Sequence, residues 1–72
     1  MPEDQENRLK QTIKELLVTN SESETRNDLL EKLIRRYMRT SIRALLEFEP
    51  LMSDSMKKRF EWELNGIKHG LL

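Results

Sequence analysis

Several residue types that define common protein classes are rare or missing in this chain. It has no cysteine, one histidine, two glycines and two prolines. Without cysteine, neither disulfide bonds nor thiolate metal ligands can stabilise the fold, which favours an intracellular location in the cytoplasm or nucleus. His69 is the single histidine, so no second histidine could join it as a ligand of a metal ion. We therefore expect neither a metal nor a cofactor.

Long apolar runs and an excess of one charge are missing as well. No stretch approaches the roughly 18 apolar residues that a membrane-spanning helix needs, and the first residues lack the pattern of a signal peptide. Basic and acidic residues number 13 each, so the formal net charge is zero. The overall charge therefore directs the chain neither to nucleic acid nor to an anionic membrane.

What the chain does contain is helix-forming residues in a helical pattern. Half of it is Ala, Glu, Lys, Leu and Arg, a composition typical of long helices. The apolar spacing predicts three helices over about residues 3–18, 24–49 and 54–67, within a single helical module spanning 1–72. Caps are expected at Ser21, Ser23 or Thr25 for the second helix and at Ser53 or Asp54 for the third. Pro50 is expected to end the second helix, and Gly66 with Gly70 to fray the third beyond Asn65.

The second predicted helix carries apolar side chains around more than half of its circumference between Leu29 and Phe48. Its 25 or so residues would span roughly 38 Å, whereas a compact domain of this size is roughly 29 Å across. The apolar surface of a helix that extends beyond the domain would be exposed to water unless another chain packs against it. The sequence thus predicts an all-α, three-helix arrangement with a long central helix, forming a helical bundle completed by oligomerisation.

Basic residues line the remaining strip of this helix, at the i, i+4, i+7 and i+11 positions Lys32, Arg36, Arg39 and Arg43, with Arg35 on the flank. Such a strip could bind an acidic protein partner or the phosphates of a nucleic acid. The plainer interpretation is a solvated face whose cations form ion pairs with the acidic N-terminus or with nearby carboxylates, namely Glu22, Glu24, Glu31 and Glu47.

Trp62 points away from the apolar stripe of the third helix, which consists of Met56, Phe60, Leu64, Ile67 and Leu71. A large aromatic side chain on the outer face is typical of an interface anchor. The alternatives are that Trp62 covers a neighbouring loop or that both faces are buried within the monomer. Tyr37, Met38 and Leu45 complete the predicted partner-binding set, although apolar residues such as Tyr37 and Met38 more often belong to the core.

No constellation of side chains suggests catalysis. Glu61 and Glu63 are two residues apart and face different directions, and no histidine lies within reach of Thr40 or Ser41. We therefore expect a non-catalytic assembly module or adaptor that forms a homo-oligomer, such as a dimer, or packs with a related helical subunit. A nucleic-acid-binding accessory protein is the alternative.

Residues 33–50 resemble the long helix of the helical domain in subunits of the GINS replication complex, through Tyr37, Met38 and Arg39 and the following Ile42, Leu45, Phe48 and Pro50. The resemblance implies a helical subunit that packs against sister subunits through long helices and has no enzymatic activity. The β domain usual in that family has no counterpart here. The run from Ile42 to Glu47 is also similar to the short helical heterodimerisation domains of membrane-associated scaffold proteins.

Overall fold

The computed structural model describes residues 2–19 and 23–71, and these residues fold into helices without any strand. The expected all-α class is confirmed. Five α-helices are joined by turns and by two 3₁₀ turns, Ile42–Ala44 before α3 and Glu49–Leu51 after it. The helices are α1 (Pro2–Thr19), α2 (Glu24–Met38), α3 (Leu45–Phe48), α4 (Asp54–Arg59) and α5 (Glu61–Lys68).

The first predicted helix is confirmed with nearly the expected bounds. Ile13 and Leu17 lie in the core, and Leu9 and Leu16 are partly buried against it. This is the apolar stripe that the helical period indicates. The rest of α1 is largely exposed, so the helix packs against the molecule along one side.

The start of α2 is fixed by Ser23, one of the three predicted caps. The Ser23 side chain accepts a hydrogen bond of 3.4 Å from the backbone N–H of Arg26. This bond satisfies one of the N–H groups that have no partner within the helix. Ser21, the other serine considered, lies outside the described residues.

The prediction of one central helix over 24–49 is wrong, because α2 ends at Met38. The backbone N–H groups of Thr40 and Ser41 both donate to the carbonyl of Tyr37, at 3.0 and 3.3 Å. Ser41 then adopts an extended conformation with φ −153° and ψ 106°. The chain therefore changes direction at residues 39–41 before the first 3₁₀ turn begins.

Two physical effects account for this break. Threonine and serine are weak helix formers, since their hydroxyl groups compete for backbone hydrogen bonds. The turn also lets the chain bury its own apolar residues: Leu45 and Phe48 are fully buried. Burying a side chain of this size stabilises the fold by about 1.5–3 kcal/mol. The described residues extend at most 33 Å, less than the predicted helix alone would require.

Pro50 does not end a long helix but lies inside the second 3₁₀ turn. Proline suits this place because it fixes φ and its missing N–H is not needed in a first turn. Met52 is extended, and Ser53 then caps α4 by accepting a hydrogen bond of 3.3 Å from the backbone N–H of Met56. The predicted serine cap of the third helix is confirmed.

The third predicted helix, 54–67, is interrupted at Phe60. The backbone there leaves the helical region, with φ −115° and ψ 15°, and α5 starts at the next residue. The apolar stripe nevertheless forms as predicted over Met56, Phe60, Leu64 and Ile67, all of which are buried. The interruption therefore changes the helix geometry and leaves the core-facing residues in place.

α5 continues beyond Asn65 to Lys68 and closes in a hydrogen-bonded turn, so the structure does not show the expected fraying beyond Asn65. The N–H of Leu71 donates to the carbonyl of Gly66 at 2.7 Å, and the N–H of Gly70 donates to that of Ile67 at 3.1 Å. Gly70 has a φ of 72°. These are the two hydrogen bonds of a Schellman motif. The motif requires one residue in the left-handed backbone conformation, which glycine adopts without strain. Leu71 consequently turns outward and does not continue the buried stripe.

Ion pairs connect the helices across the surface. Lys10 of α1 pairs with Glu47 of α3, and Lys68 of α5 pairs with Glu49 at 2.6 Å. Arg59 of α4 contacts two carboxylates of α2, Asp28 at 2.6 Å and Glu31 at 3.2 Å. Exposed pairs of this kind contribute little stability individually.

None of the described helices combines the length and apolar character that crossing a membrane demands.

Candidate interaction surfaces

Trp62 and Leu71 form an exposed apolar surface at the C-terminal end of the described chain. Their exposed fractions are 72% and 79%. Between them lies a hollow of about 290 Å³, which we call the Trp62 hollow, and its lining consists of Trp62, Asn65, Gly66, His69 and Leu71. Gly66 is buried, whereas the other four side chains are exposed. A projecting aromatic ring therefore lies beside a recess that has glycine in its lining.

The packing of α5 explains why Trp62 points outward. Leu64 and Ile67 take the inner face of this short helix. Glu63, next to Trp62, is directed towards α2, where its Oε1 atom lies 3.5 Å from Nη1 of Arg35. The predicted outward position of Trp62 is confirmed, and Trp62 neither covers a loop nor joins the core. Its role in binding a partner stays a prediction.

The lining of the Trp62 hollow contains no aspartate, glutamate, lysine or arginine. Apolar contacts there would leave no unpaired charge buried, which would otherwise cost several kcal/mol. The surface thus combines an aromatic anchor, a recess and a low charge density, as the centres of protein interfaces do.

Three other residues of the predicted partner-binding set lie elsewhere. Tyr37 and Leu45 belong to the core, and Met38 is partly buried against it. The ring of Tyr37 packs edge-on against that of Phe48. A partner docking on the surface would not reach Tyr37 or Leu45, so the structure corrects the expectation that they are presented to one. The cause is the turn at 39–41, which folds this segment onto the molecule.

The predicted basic strip is divided by the same turn. Lys32, Arg36 and Arg39 are exposed on α2 and at its end, and together with Arg35 they line one depression of about 320 Å³. Arg43 is also exposed but lies beyond the turn, in the first 3₁₀ turn. A continuous strip of four helical positions is therefore not formed.

Two of the carboxylates expected to neutralise this strip form ion pairs, one with a cation of the strip and one with cations of α1. Glu31 pairs with Arg35 at 3.0 Å, as the plainer interpretation requires. Glu47, however, contacts Lys10 and Lys14 of α1. Of the predicted basic residues, Arg35 is the one that forms ion pairs within residues 5–19 and 23–71. Glu22 and the side chains of the first four residues lie outside this part of the chain.

The pKa values of Lys10, Glu47 and Arg59 are altered by ion pairs that join helices. The hydrogen bond with Glu47 raises the pKa of Lys10, and the same contact lowers the pKa of Glu47. The hydrogen bond with Asp28 raises the pKa of Arg59, and Glu31 adds to this effect. In each case the partner stabilises the charged form. These groups tie helices together and lie outside the Trp62 hollow.

The described part of the chain contains no group of three or more metal-binding side chains. Glu61 is exposed and Glu63 faces Arg35, so the two carboxylates do point in different directions, as the sequence indicates. One oxygen of Glu63, Oε2, is buried without a hydrogen-bond partner. This atom belongs to the side chain that links α5 to Arg35 of α2.

Leu71 and the hollow beside Trp62 were not predicted from the sequence. Helical periodicity assigns Leu71 to the buried stripe, because the pattern alone does not reveal where the helix stops. The signal that could have located it is Gly70, since a glycine after a lysine-ended helix is typical of a left-handed cap that redirects the next residue.

Comparisons with protein families, curated proteins and solved structures find no match to this chain. The similarity of residues 33–50 to GINS subunits thus stays a prediction. The long helix that it implies is not formed, because α2 ends at Met38 within the similar stretch.

Proposed function

We propose that this protein is a non-catalytic helical module that associates with a second copy of itself through the Trp62 hollow. The observation that carries the proposal is the exposure of Trp62 beside a recess lined by Gly66 and Leu71. Tryptophan is among the residues that most often dominate interface energies. An intracellular, assembly-related role is part of the same proposal.

A second copy fits this surface for two reasons. In a two-fold symmetric interface the same patch meets itself, so a projecting group and a neighbouring recess on one chain can both be filled at once. Because the lining contains no aspartate, glutamate, lysine or arginine, two copies bring no such like charges together at the centre. The formal net charge of zero adds no long-range repulsion between them.

The basis for self-association differs from the one that the sequence indicates. An overhanging central helix is not formed, and Leu45 and Phe48 are covered by the chain itself. At the hollow the large exposed apolar side chains are Trp62 and Leu71, and interfaces that depend on so few apolar residues belong to weak or transient complexes. We therefore expect a dimer that dissociates on dilution and whose subunits stay folded.

Sedimentation equilibrium over a range of concentrations tests this proposal. Trp62→Ala should weaken the dimer about 30-fold, equivalent to about 2 kcal/mol, because it removes the anchor. The helical circular dichroism signal should stay unchanged, since Trp62 is not in the core. His69→Lys should also weaken the dimer, because it brings two like charges together at the symmetric contact.

Val18→Ala is the matched control. Val18 is as exposed as Trp62, at 68%, but lies on α1 outside the hollow. Truncating the Val18 side chain should leave the dimer dissociation constant unchanged. A wild-type chain that stays monomeric at the highest concentrations would contradict the proposal, and so would equal weakening by the Trp62 and Val18 variants.

Nucleic-acid binding through the basic residues is the second candidate, favoured by the lack of ion pairs at Lys32, Arg36 and Arg39 within residues 5–19 and 23–71. Base stacking requires exposed aromatic rings, but Tyr37, the aromatic residue among these cations, is buried. Gel-shift titrations test it, because binding to phosphates must weaken steeply with salt. Charge reversal at Arg39 should then reduce the affinity.

A further inference from the structure

A depression on the outer face of α2, which we call the basic depression, is lined entirely by cations: Lys32, Arg35, Arg36 and Arg39. Its volume is about 320 Å³. Lys32 and Arg36 are one helical turn apart, and Arg39 follows at the end of the helix. Four positive groups therefore share one concave surface in a chain with no net charge.

Three of these cations have no carboxylate partner among residues 5–19 and 23–71, whose side chains the structure describes. The ion pairs of this part of the chain use other basic side chains, which are Lys10, Lys14, Arg35, Arg59 and Lys68. The partial negative charge at a helix C-terminus favours Arg36 and Arg39 where they are. It does not account for Lys32, which lies further from that end.

Arg35 forms a fixed wall of the basic depression. Its Nε atom lies 3.0 Å from Glu31, its Nη1 atom lies 3.5 Å from Glu63, and its guanidinium lies 4.8 Å from the ring centroid of Phe60. Contacts of this kind restrict the side chain before any ligand arrives, which reduces the entropy that binding would cost. The other three cations remain available to an anion.

The surroundings of the basic depression limit the length of the anion. On one side, Glu6 and Arg36 border a neighbouring depression at α1. On the other side lie Glu31 and Glu63. A long polyanion such as a nucleic acid duplex would extend from the cations onto these carboxylates and gain no attraction there, because Glu31 and Glu63 already use Arg35 as their partner. A short anionic segment would contact the cations alone.

We propose that the basic depression binds a short acidic helical segment of a partner protein. Lys32 and Arg39 are roughly 10.5 Å apart along the helix axis, from seven residues at 1.5 Å each. Carboxylates at i, i+4 and i+7 of a partner helix repeat over the same distance. Arginine binds carboxylates through two parallel hydrogen bonds, so Arg36 and Arg39 provide the specific contacts. This surface differs from the Trp62 hollow and does not depend on dimerisation.

Fluorescence anisotropy with a labelled helical peptide carrying glutamates at i, i+4 and i+7 tests this proposal. The peptide should bind the protein, and its affinity should fall as salt is added, because salt screens exposed cations. A peptide with glutamine at the same positions should not bind. Arg36→Glu combined with Arg39→Glu should reduce the affinity at least about tenfold, because two attractions become repulsions.

Lys57→Glu combined with Lys58→Glu is the matched control, because it makes the same change in charge on α4 with two exposed residues. It should leave the affinity nearly unchanged. Circular dichroism should show both double variants folded. If the Arg36/Arg39 variant is unfolded, Arg36→Gln with Arg39→Gln replaces it and must also lose binding.

Three results would overturn the proposal: no binding of the glutamate peptide at low salt, equal loss of affinity in the two double variants, or tighter binding of duplex DNA than of the peptide at the same salt. A changed oligomeric state in the Arg36/Arg39 variant would instead identify a second copy as the occupant, and would equally overturn it. Loss of dimerisation by Trp62→Ala alone leaves the peptide result unaffected, so the two proposals fail separately.

Discussion

Tyr37 and Phe48 are 11 positions apart in the chain, yet their ring centroids are 5.9 Å from each other with an interplanar angle of 72°. In a continuous helix the two residues would be separated by roughly 16 Å along the axis. Edge-on aromatic contacts of this kind stabilise a fold beyond the area they bury. The contact exists because the chain turns at residues 39–41, and it is the clearest consequence of that turn.

Replacing Phe48 with alanine should test the importance of this contact for stability. Phe48 is fully buried, so the variant should lose about 3–5 kcal/mol of unfolding free energy, measured by urea denaturation. That loss approaches the whole stability expected for so small a domain. Leu46, which is partly buried in the same segment, is the control, and Leu46→Ala should cost clearly less. Near-wild-type stability of Phe48→Ala would contradict the packing described.

Gly70 gives a second prediction, on the end of α5. A Cβ atom added there would meet nothing within 4 Å, so steric contact with neighbours is not the issue. The cause is instead the backbone conformation, because a φ of 72° costs an alanine roughly 1–2 kcal/mol. Gly70→Ala should therefore destabilise the chain by about 1 kcal/mol in thermal or urea unfolding. Asparagine tolerates this conformation better, and Gly70→Asn should lose less; an equal loss would contradict the conformational explanation.

The pair of Lys10 and Glu47 predicts how stability depends on pH. Its hydrogen bond lowers the pKa of Glu47 in the folded chain. The contribution of the pair to the free energy of unfolding is therefore fully present above the usual glutamate pKa of about 4.3, and it is lost as the pH falls below that value. Glu47→Gln should remove this part of the acid-dependent loss. Unfolding free energies compared at neutral and acidic pH measure it. Lys10→Gln, which removes the partner of this carboxylate, should reduce the same acid-dependent loss.

The sequence predicts those parts of the fold that depend on local pattern. The stripe around Ile13 and Leu17, the caps at Ser23 and Ser53, and the outward position of Trp62 all follow from helical period and side-chain chemistry. Each of these depends on neighbours within a few residues. Local signals are therefore sufficient for them.

The turn at residues 39–41 depends on longer-range packing and was missed. The apolar pattern from Leu29 to Phe48 continues through it, and neither glycine nor proline marks it. The free energy gained when Leu45 and Phe48 reach the core outweighs the helical preference of a few residues, each below about 0.7 kcal/mol. The same packing removes Tyr37 and Leu45 from the candidate site and leaves Trp62 as its main anchor.

A nuclear Overhauser experiment on the rings of Tyr37 and Phe48 tests most directly that the chain buries its own apolar residues by turning at 39–41. It should be made at concentrations where sedimentation shows a monomer, so that contacts between chains cannot contribute. We expect direct cross-peaks between the two rings, with interrupted helical contacts across Thr40 and Ser41. Absence of the ring cross-peaks together with unbroken helical contacts from Glu24 to Glu49 would contradict the fold and restore the long central helix.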